Sequence, residues 1–232
     1  MIATYAAGEK GARRAAREGA TVVVVDAYRA STTIAVLIQK GARVIPVASV
    51  EEAASYPGAD YRIGERGSAK VRGFDFGNSP TEIEKAGIVP GSTVVLSSTN
   101  GTRIIEAAKG SPFILAGAFV NAHAVADAIV TGGDPGSRIA VIGCGWRGNR
   151  ASEDESAAAE ILARLREGGV HLEEPAERII EAHLKRSGSS LRSNSAARRL
   201  KRLEYERDLD YCLALNKVPV VPRLIDGVFA GD

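Results

Sequence analysis

The chain has 232 residues, 45% of them apolar and 25% charged, proportions of an ordinary globular protein that exclude both disorder and a fibrous repeat. Thirty Lys and Arg against 28 Asp and Glu leave a net charge of +2. That is too balanced for an obligate nucleic-acid binder but compatible with a small anionic partner. Only Cys144 and Cys212 are available for a disulfide, so a reducing, cytoplasmic setting is expected. The longest apolar runs are strand-sized, and no membrane span is expected.

In chain order, the first β-branched run, TVVVVD, ends at Asp26 and precedes a helix predicted over 32–39. RVIPVAS from Arg43 is the next strand. A polar, Gly-rich stretch over 61–80 follows, too long for an ordinary connection and therefore read as a functional loop. TVVLSST from Thr93 leads to a helix over 101–109, and PFILAGA from Pro112 to a helix over 121–130. RIAVIGC ends at Cys144. The next helix spans 152–167, with Ser152 and Glu155 in capping-box spacing and Gly168-Gly169 as its stop. A helix over 175–185, a linker or hinge over 185–194, an interrupted helix over 195–213 and a last strand, VPVVPRL from Val218, complete the chain. Runs such as VVVVD lack polar alternation, as strands buried on both faces do. These features predict one α/β domain over 1–232, a three-layer α/β/α arrangement with a mostly parallel sheet.

Ligands of such sheets gather beyond the carboxyl ends of the strands, and four places there are unusually polar. DAYRASTT places Asp26 directly after four valines, where a carboxylate is costly unless paired or metal-bound, with Arg29, Ser31 and Thr32 leading into a helix. Hydroxyls and N–H groups at a helix start suit an oxyanion, and an Arg fork adds charge; simple capping by Ser31 explains the hydroxyls equally well. SSTNGTR repeats the pattern with Thr99, Asn100, Gly101, Thr102 and Arg103, against an alternative of a plain Asn-Gly turn. In the 61–80 stretch, Glu65 and Asp75 suit a cation, and Arg66, Lys70 and Arg72 an anion.

The fourth place, GCGWRGNR followed by Glu153 and Asp154, contains GxGxxG, but a dinucleotide helix should begin inside the glycines and not at Ser152. Cys144 and Arg150 also have the C-x5-R spacing of thiolate phosphatases, with Arg147 available to lower the thiol pKa, although a buried structural Cys is the commoner outcome. Glu153 and Asp154 fit a metal site or the first turn of a helix. The three histidines show no metal-ligand spacing, and the basic stretch from Arg198 to Arg202 reads as a solvated helix face. Asp208 and Asp210 are open to either the site or the surface.

Together, DAYRASTT, GERGSAKVRGFDFGNSP, SSTNGTR, GAFVNA, the Cys-Gly loop and RDLDYCLALNKVPVVP resemble the 2-phosphosulfolactate phosphatase family over nearly the whole chain, in order. The resemblance implies a Mg2+-dependent hydrolase that removes phosphate from 2-phosphosulfolactate, a step of coenzyme M biosynthesis, or from a related 2-phospho acid. Catalytic roles are expected for Asp26 and Arg29, and Cys144, which ends a buried strand beside glycines, is kept as a site residue that shapes or assists. Substrate contacts fall at Ser31, Thr32, Arg66, Lys70, Asn78, Thr99, Asn100, Gly101, Thr102, Arg103 and Asn121. Asp26, Glu65, Glu153 and Asp154 are the implied Mg2+ ligands. It allows a homodimer. The chain departs from the family pattern at Ala27-Tyr28, at Ser68 or Ala69 where a second Gly is common, and at Asn216 where Asp is common. Two alternatives stay open: a non-catalytic binder of small anions, and a metal-independent phosphatase using Cys144 and Arg150.

Overall fold

A computed structural model describes residues 1–146 and 148–231. Strands and helices alternate as β1 (Ile2–Ala7), α1 (Gly8–Arg17), β2 (Thr21–Val25), α2 (Ala30–Gln39), β3 (Arg43–Pro46), α3 (Val50–Ser55) and β4 (Tyr61–Arg66). After the short β5 (Ala69–Lys70) come α4 (Pro80–Lys85), β6 (Thr93–Ser97), α5 (Gly101–Ala107), β7 (Ile114–Gly117), α6 (Ala122–Gly132), β8 (Arg138–Gly143) and α7 (Ser152–Glu167). The last third runs β9 (His171–Leu172), α8 (Glu174–Leu184), α9 (Gly188–Leu191), α10 (Ser195–Arg202), α11 (Glu206–Cys212), β10 (Arg223–Ile225) and β11 (Val228–Ala230).

Among the described residues the strands form one mostly parallel sheet in the order β5-β4-β6-β3-β11-β10-β7-β2-β8-β1-β9. Two parallel blocks, β4-β6-β3 and β7-β2-β8-β1-β9, are joined through the antiparallel β10-β11 hairpin. The unbroken valine run of β2 has a direct cause. Val22 and Val24 pack into one apolar core with Ala140 and Ile142 of β8, while Val23 and Val25 pack into another with Ile139 and Val141. Successive strand side chains point to opposite faces, so a central strand covered by helices on both sides is apolar at every position. The α/β/α layering expected from the sequence is therefore present.

Several elements differ from the sequence reading. Residues 61–66 of the presumed loop are strand β4, paired in parallel with β6, and only the rest of the stretch is irregular apart from β5. The presumed linker over 185–194 contains the helical turn α9. The apolar residues from Val218 to Val221 are not strand; β10 starts at Arg223 and turns back through a hairpin absent from the sequence reading. Helix α7 has the predicted limits, but its N-cap is Ala151, and no capping box forms at Ser152. Glu155 is instead drawn to Arg150 and Arg186.

Candidate active site

Asp26 is the first residue beyond β2, and the ends of β4, β6 and β8 converge on it. Its side chain is buried: Oδ1 accepts from Ala30 N–H at 3.3 Å, while Oδ2 has no donor among the described residues. Gly101, which opens α5, lies against that free oxygen. A Cβ at Gly101 would stand 3.1 Å from Asp26 Oδ2 and 3.0 Å from Ala30 Cβ, so any side chain would close the space in front of the carboxylate. Burial, then the neighbouring Glu65 carboxylate, push the Asp26 pKa up to about 6; Glu153 adds to the rise, and the Ala30 N–H and Arg29 oppose it.

The other acids divide by what their oxygens do. Glu65, on β4, accepts from Ser68 N–H at 2.6 Å and Thr99 N–H at 2.5 Å, which ties the turn after β4 to the turn after β6. Asp154, in the first turn of α7, accepts from Ala27 N–H at 2.9 Å and Gly145 N–H at 2.8 Å, so it joins the ends of β2 and β8. Gly145 has φ of +70° and its Cα faces the Asn149 carbonyl, a path only glycine takes without strain. Burial, Glu153 and Asp26 raise the Asp154 pKa, and the two N–H donors oppose that. Glu153 bonds through Oε2 to Asn194 Nδ2 at 2.8 Å, and burial raises its pKa as well. Glu65 and Asp154 thus spend both oxygens organising loops, whereas among the described residues Asp26 Oδ2 and Glu153 Oε1 accept no hydrogen bond from another residue.

Hard oxygen donors of this kind suit Mg2+, which takes one or two carboxylates and completes its shell with water and substrate oxygens. Among the described residues no group of three or more Asp, Glu, His or Cys side chains is placed to hold a metal ion, so Asp26 and Glu153 would hold one only with water and substrate oxygens completing its shell.

Arg29 is almost completely buried and lies flat over the Tyr205 ring at 4.3 Å. One terminal nitrogen donates to Asp208 Oδ2 at 2.7 Å, the other to the Ser68 carbonyl at 2.7 Å. Asp208, on α11, is completely buried and also accepts from Ser79 Oγ at 2.8 Å and Thr81 Oγ1 at 2.5 Å. A buried guanidinium needs this degree of compensation. The sequence reading left Asp208 undecided and passed over Tyr205. Their signal was the amphipathic α11, in which Asp208 shares the buried face with Leu209, Tyr211 and Cys212.

The hydroxyls predicted to cradle an anion point into the protein. Ser31 donates to the Val24 carbonyl, Thr32 to the Ala27 carbonyl and Thr102 to the Ser98 carbonyl. Asn121 is a buried brace that links Ala116, Ala118 and Val220. By contrast the Thr99 hydroxyl and the Asn78 Oδ1 are buried without a hydrogen-bond partner among the described residues. Arg66 bonds to Ser97 Oγ at 3.0 Å, and Lys70 to the Asp75 carbonyl at 2.7 Å. Arg103 is exposed and pairs with Glu9 of α1 at 2.6 Å; with Asn100 and Cys144 it lines a cavity of about 270 Å³.

Cys144 is buried, and burial followed by Asp26 and Asp154 raises its thiol pKa well above the ordinary range. Arg150, its C-x5-R partner, is largely exposed and engaged by Glu155. Arg147 lies outside the described residues. No helix of the described residues is long and apolar enough to cross a membrane.

The sequence profile of the family described as 2-phosphosulpholactate phosphatase matches residues 8–227. A protein of Thermotoga maritima is 36% identical over 215 residues, covering 90% of this chain and 91% of its own length. Others from Carboxydothermus hydrogenoformans (36%, covering 89% of this chain and 87% of its own) and Synechocystis (32%, covering 88% of each) are similar. All three bear the name "Probable 2-phosphosulfolactate phosphatase". The chain belongs to the 2-phosphosulpholactate phosphatase family.

Proposed function

We propose that the protein is a Mg2+-dependent phosphomonoester hydrolase that converts 2-phosphosulfolactate, or a related 2-phospho acid, to the 2-hydroxy acid and phosphate. The observation that carries this reading is Asp26: a buried carboxylate with one oxygen free of donors among the described residues, beside Glu153 and facing the gap that Gly101 keeps open. The names of the relatives supply the substrate class.

In this reading Asp26 and Glu153 hold Mg2+, which when bound neutralises phosphate charge and polarises the ester for displacement. Glu65 and Asp154 keep the turns after β2, β4, β6 and β8 in register around that point through their backbone N–H partners. Arg29 supplies a fixed positive charge next to Asp26, and its Asp208 and Tyr205 contacts prevent it from swinging away. In the reaction one P–O ester bond breaks, water supplies the new P–O bond, and the departing 2-oxygen takes up a proton. An Asp26 that titrates near 6 is ionised at neutral pH and available as a ligand, and it loses that capacity in mild acid.

The thiolate route has less support: a buried thiol with a raised pKa, flanked by two acids, is a poor nucleophile, and Arg150 is committed elsewhere. The reading is tested by phosphate release from 2-phosphosulfolactate and 2-phospholactate with Mg2+ and after chelation. Turnover that stops on chelation and returns with Mg2+ is expected. Binding without turnover would leave a non-catalytic anion binder.

A further inference from the structure

A second guanidinium reaches the same place from the C-terminal part of the chain. Arg199 of α10 is half-buried, stacks on the Trp146 ring at 3.7 Å and donates through Nε to Ser68 Oγ at 2.9 Å. Its two terminal nitrogens meet no acceptor among the described residues. With the plane fixed by Trp146 and one edge fixed by Ser68, the remaining edge presents two parallel N–H donors, the geometry that grips two oxygens of a carboxylate or sulfonate. The negative groups closest to it are Glu153 and Glu65, and Arg29 lies nearby.

Ser68 ties these groups together. It occupies left-handed backbone space at φ +74°, unusual for a residue with a side chain. Its N–H donates to Glu65, its carbonyl accepts from Arg29, and its hydroxyl accepts from Arg199. Glycine would relieve the backbone but could not hold Arg199, so the hydroxyl is the feature that the strained conformation retains.

We propose that Arg199 binds the sulfonate, which the substrate carries besides its phosphate and its carboxylate, and that Ser68 is the positioning residue that aims it. The proposal rests on the hydrolase reading above. Phosphate, next to Asp26, is then common to every substrate, and Arg199 decides which substituent the neighbouring carbon must carry. Two substrates that differ in little but the sulfonate, 2-phosphosulfolactate and 2-phospholactate, separate these roles.

The expected result is that Arg199→Gln lowers the preference in kcat/KM for 2-phosphosulfolactate over 2-phospholactate by about tenfold or more, mainly through KM. Arg199→Lys should restore part of it. Ser68→Gly and Ser68→Ala should each lower the preference by about threefold, although only the first relieves the backbone. An unchanged preference in folded Arg199→Gln protein overturns the proposal, as does equal damage to both substrates; an unchanged preference in both Ser68 variants removes Ser68 from it. If wild-type protein hydrolyses neither substrate, the hydrolase reading fails by itself. Calorimetric titration of wild-type and Arg199→Gln protein with 3-sulfolactate then tests Arg199 directly, and equal affinities would overturn its role.

Discussion

The turns after β2 and β6 are built from the same materials, hydroxyl residues followed by an arginine at the start of a helix, yet they meet opposite fates. Arg29 is 2% exposed and locked between Asp208, the Ser68 carbonyl and the Tyr205 ring, whereas the Arg103 side chain is 61% exposed and pairs with a surface glutamate. The difference lies in what covers each turn. Helix α11 and the turn after β4 close over Arg29; the Arg103 side chain is met by Glu9 at the amino end of α1. An arginine at a strand end is thus a ligand-facing charge or a buried brace according to distant chain, and the local motif does not distinguish them.

The sharpest way to break the comparison is to neutralise the acid beside the closed turn. Asp26→Asn should reduce Mg2+-stimulated turnover by at least about a hundredfold while making the metal-free protein more stable. The sign follows from the raised pKa. Between the ordinary value of 3.8 and about 6 the folded state holds the proton that the unfolded state has lost, so wild-type stability falls as pH rises through that window. The variant escapes this loss. Its advantage should be on the order of 2–3 kcal/mol above pH 6 and vanish below about pH 4, as read by urea unfolding in chelator across that range. No gain at neutral pH would mean that Asp26 is already compensated in the free protein.

Asp208→Ala is next. It strands a buried guanidinium and should cost about 3–5 kcal/mol, with Asp208→Asn less severe. Arg103→Ala should cost under about 1 kcal/mol and raise KM by a few-fold at most, an effect that shrinks further in high salt. If instead Arg103→Ala abolished turnover, the two turns would be functional equals despite their different burial. The smallest effect is expected for Cys144→Ser, which should keep most of its Mg2+-dependent rate; an inert, folded variant would revive the thiolate route.

Much of this organisation could be read from residue patterns. Unbroken β-branched runs marked β2, β6, β7 and β8 because both faces of those strands are covered, and Asp26 stood out because an acid there is expensive. Strand β1, IATYAA, and helix α1, GEKGARRAAR, escaped notice: alanine is a poor strand former, and glycines interrupt the helix. The hydroxyls expected to cradle an anion do stand at strand-to-helix turns, but whether Ser31, Thr32 and Thr102 turn toward a ligand or a carbonyl depends on rotamers that composition does not encode. Asp208, Tyr205 and Arg199 were hidden for a different reason. Each is ordinary in its local sequence and acquires meaning only from contacts with residues more than a hundred positions away.

The ion pair between Arg29 and Asp208 joins positions 179 residues apart. During synthesis at 5–20 residues per second, roughly 10–40 s separate the two side chains' appearance, and until then the guanidinium lacks its carboxylate partner. Strand β1 waits similarly for β8 and β9, since its pairing begins with Arg138 and His171. The nascent chain therefore has the apolar core of β2 and its neighbours well before it has a working centre. A chain cut short before α11 would lose both the lock on Arg29 and the β10-β11 hairpin that joins the two parallel blocks, so the last stretch of the chain, from Glu206 on, completes the sheet and the candidate site together.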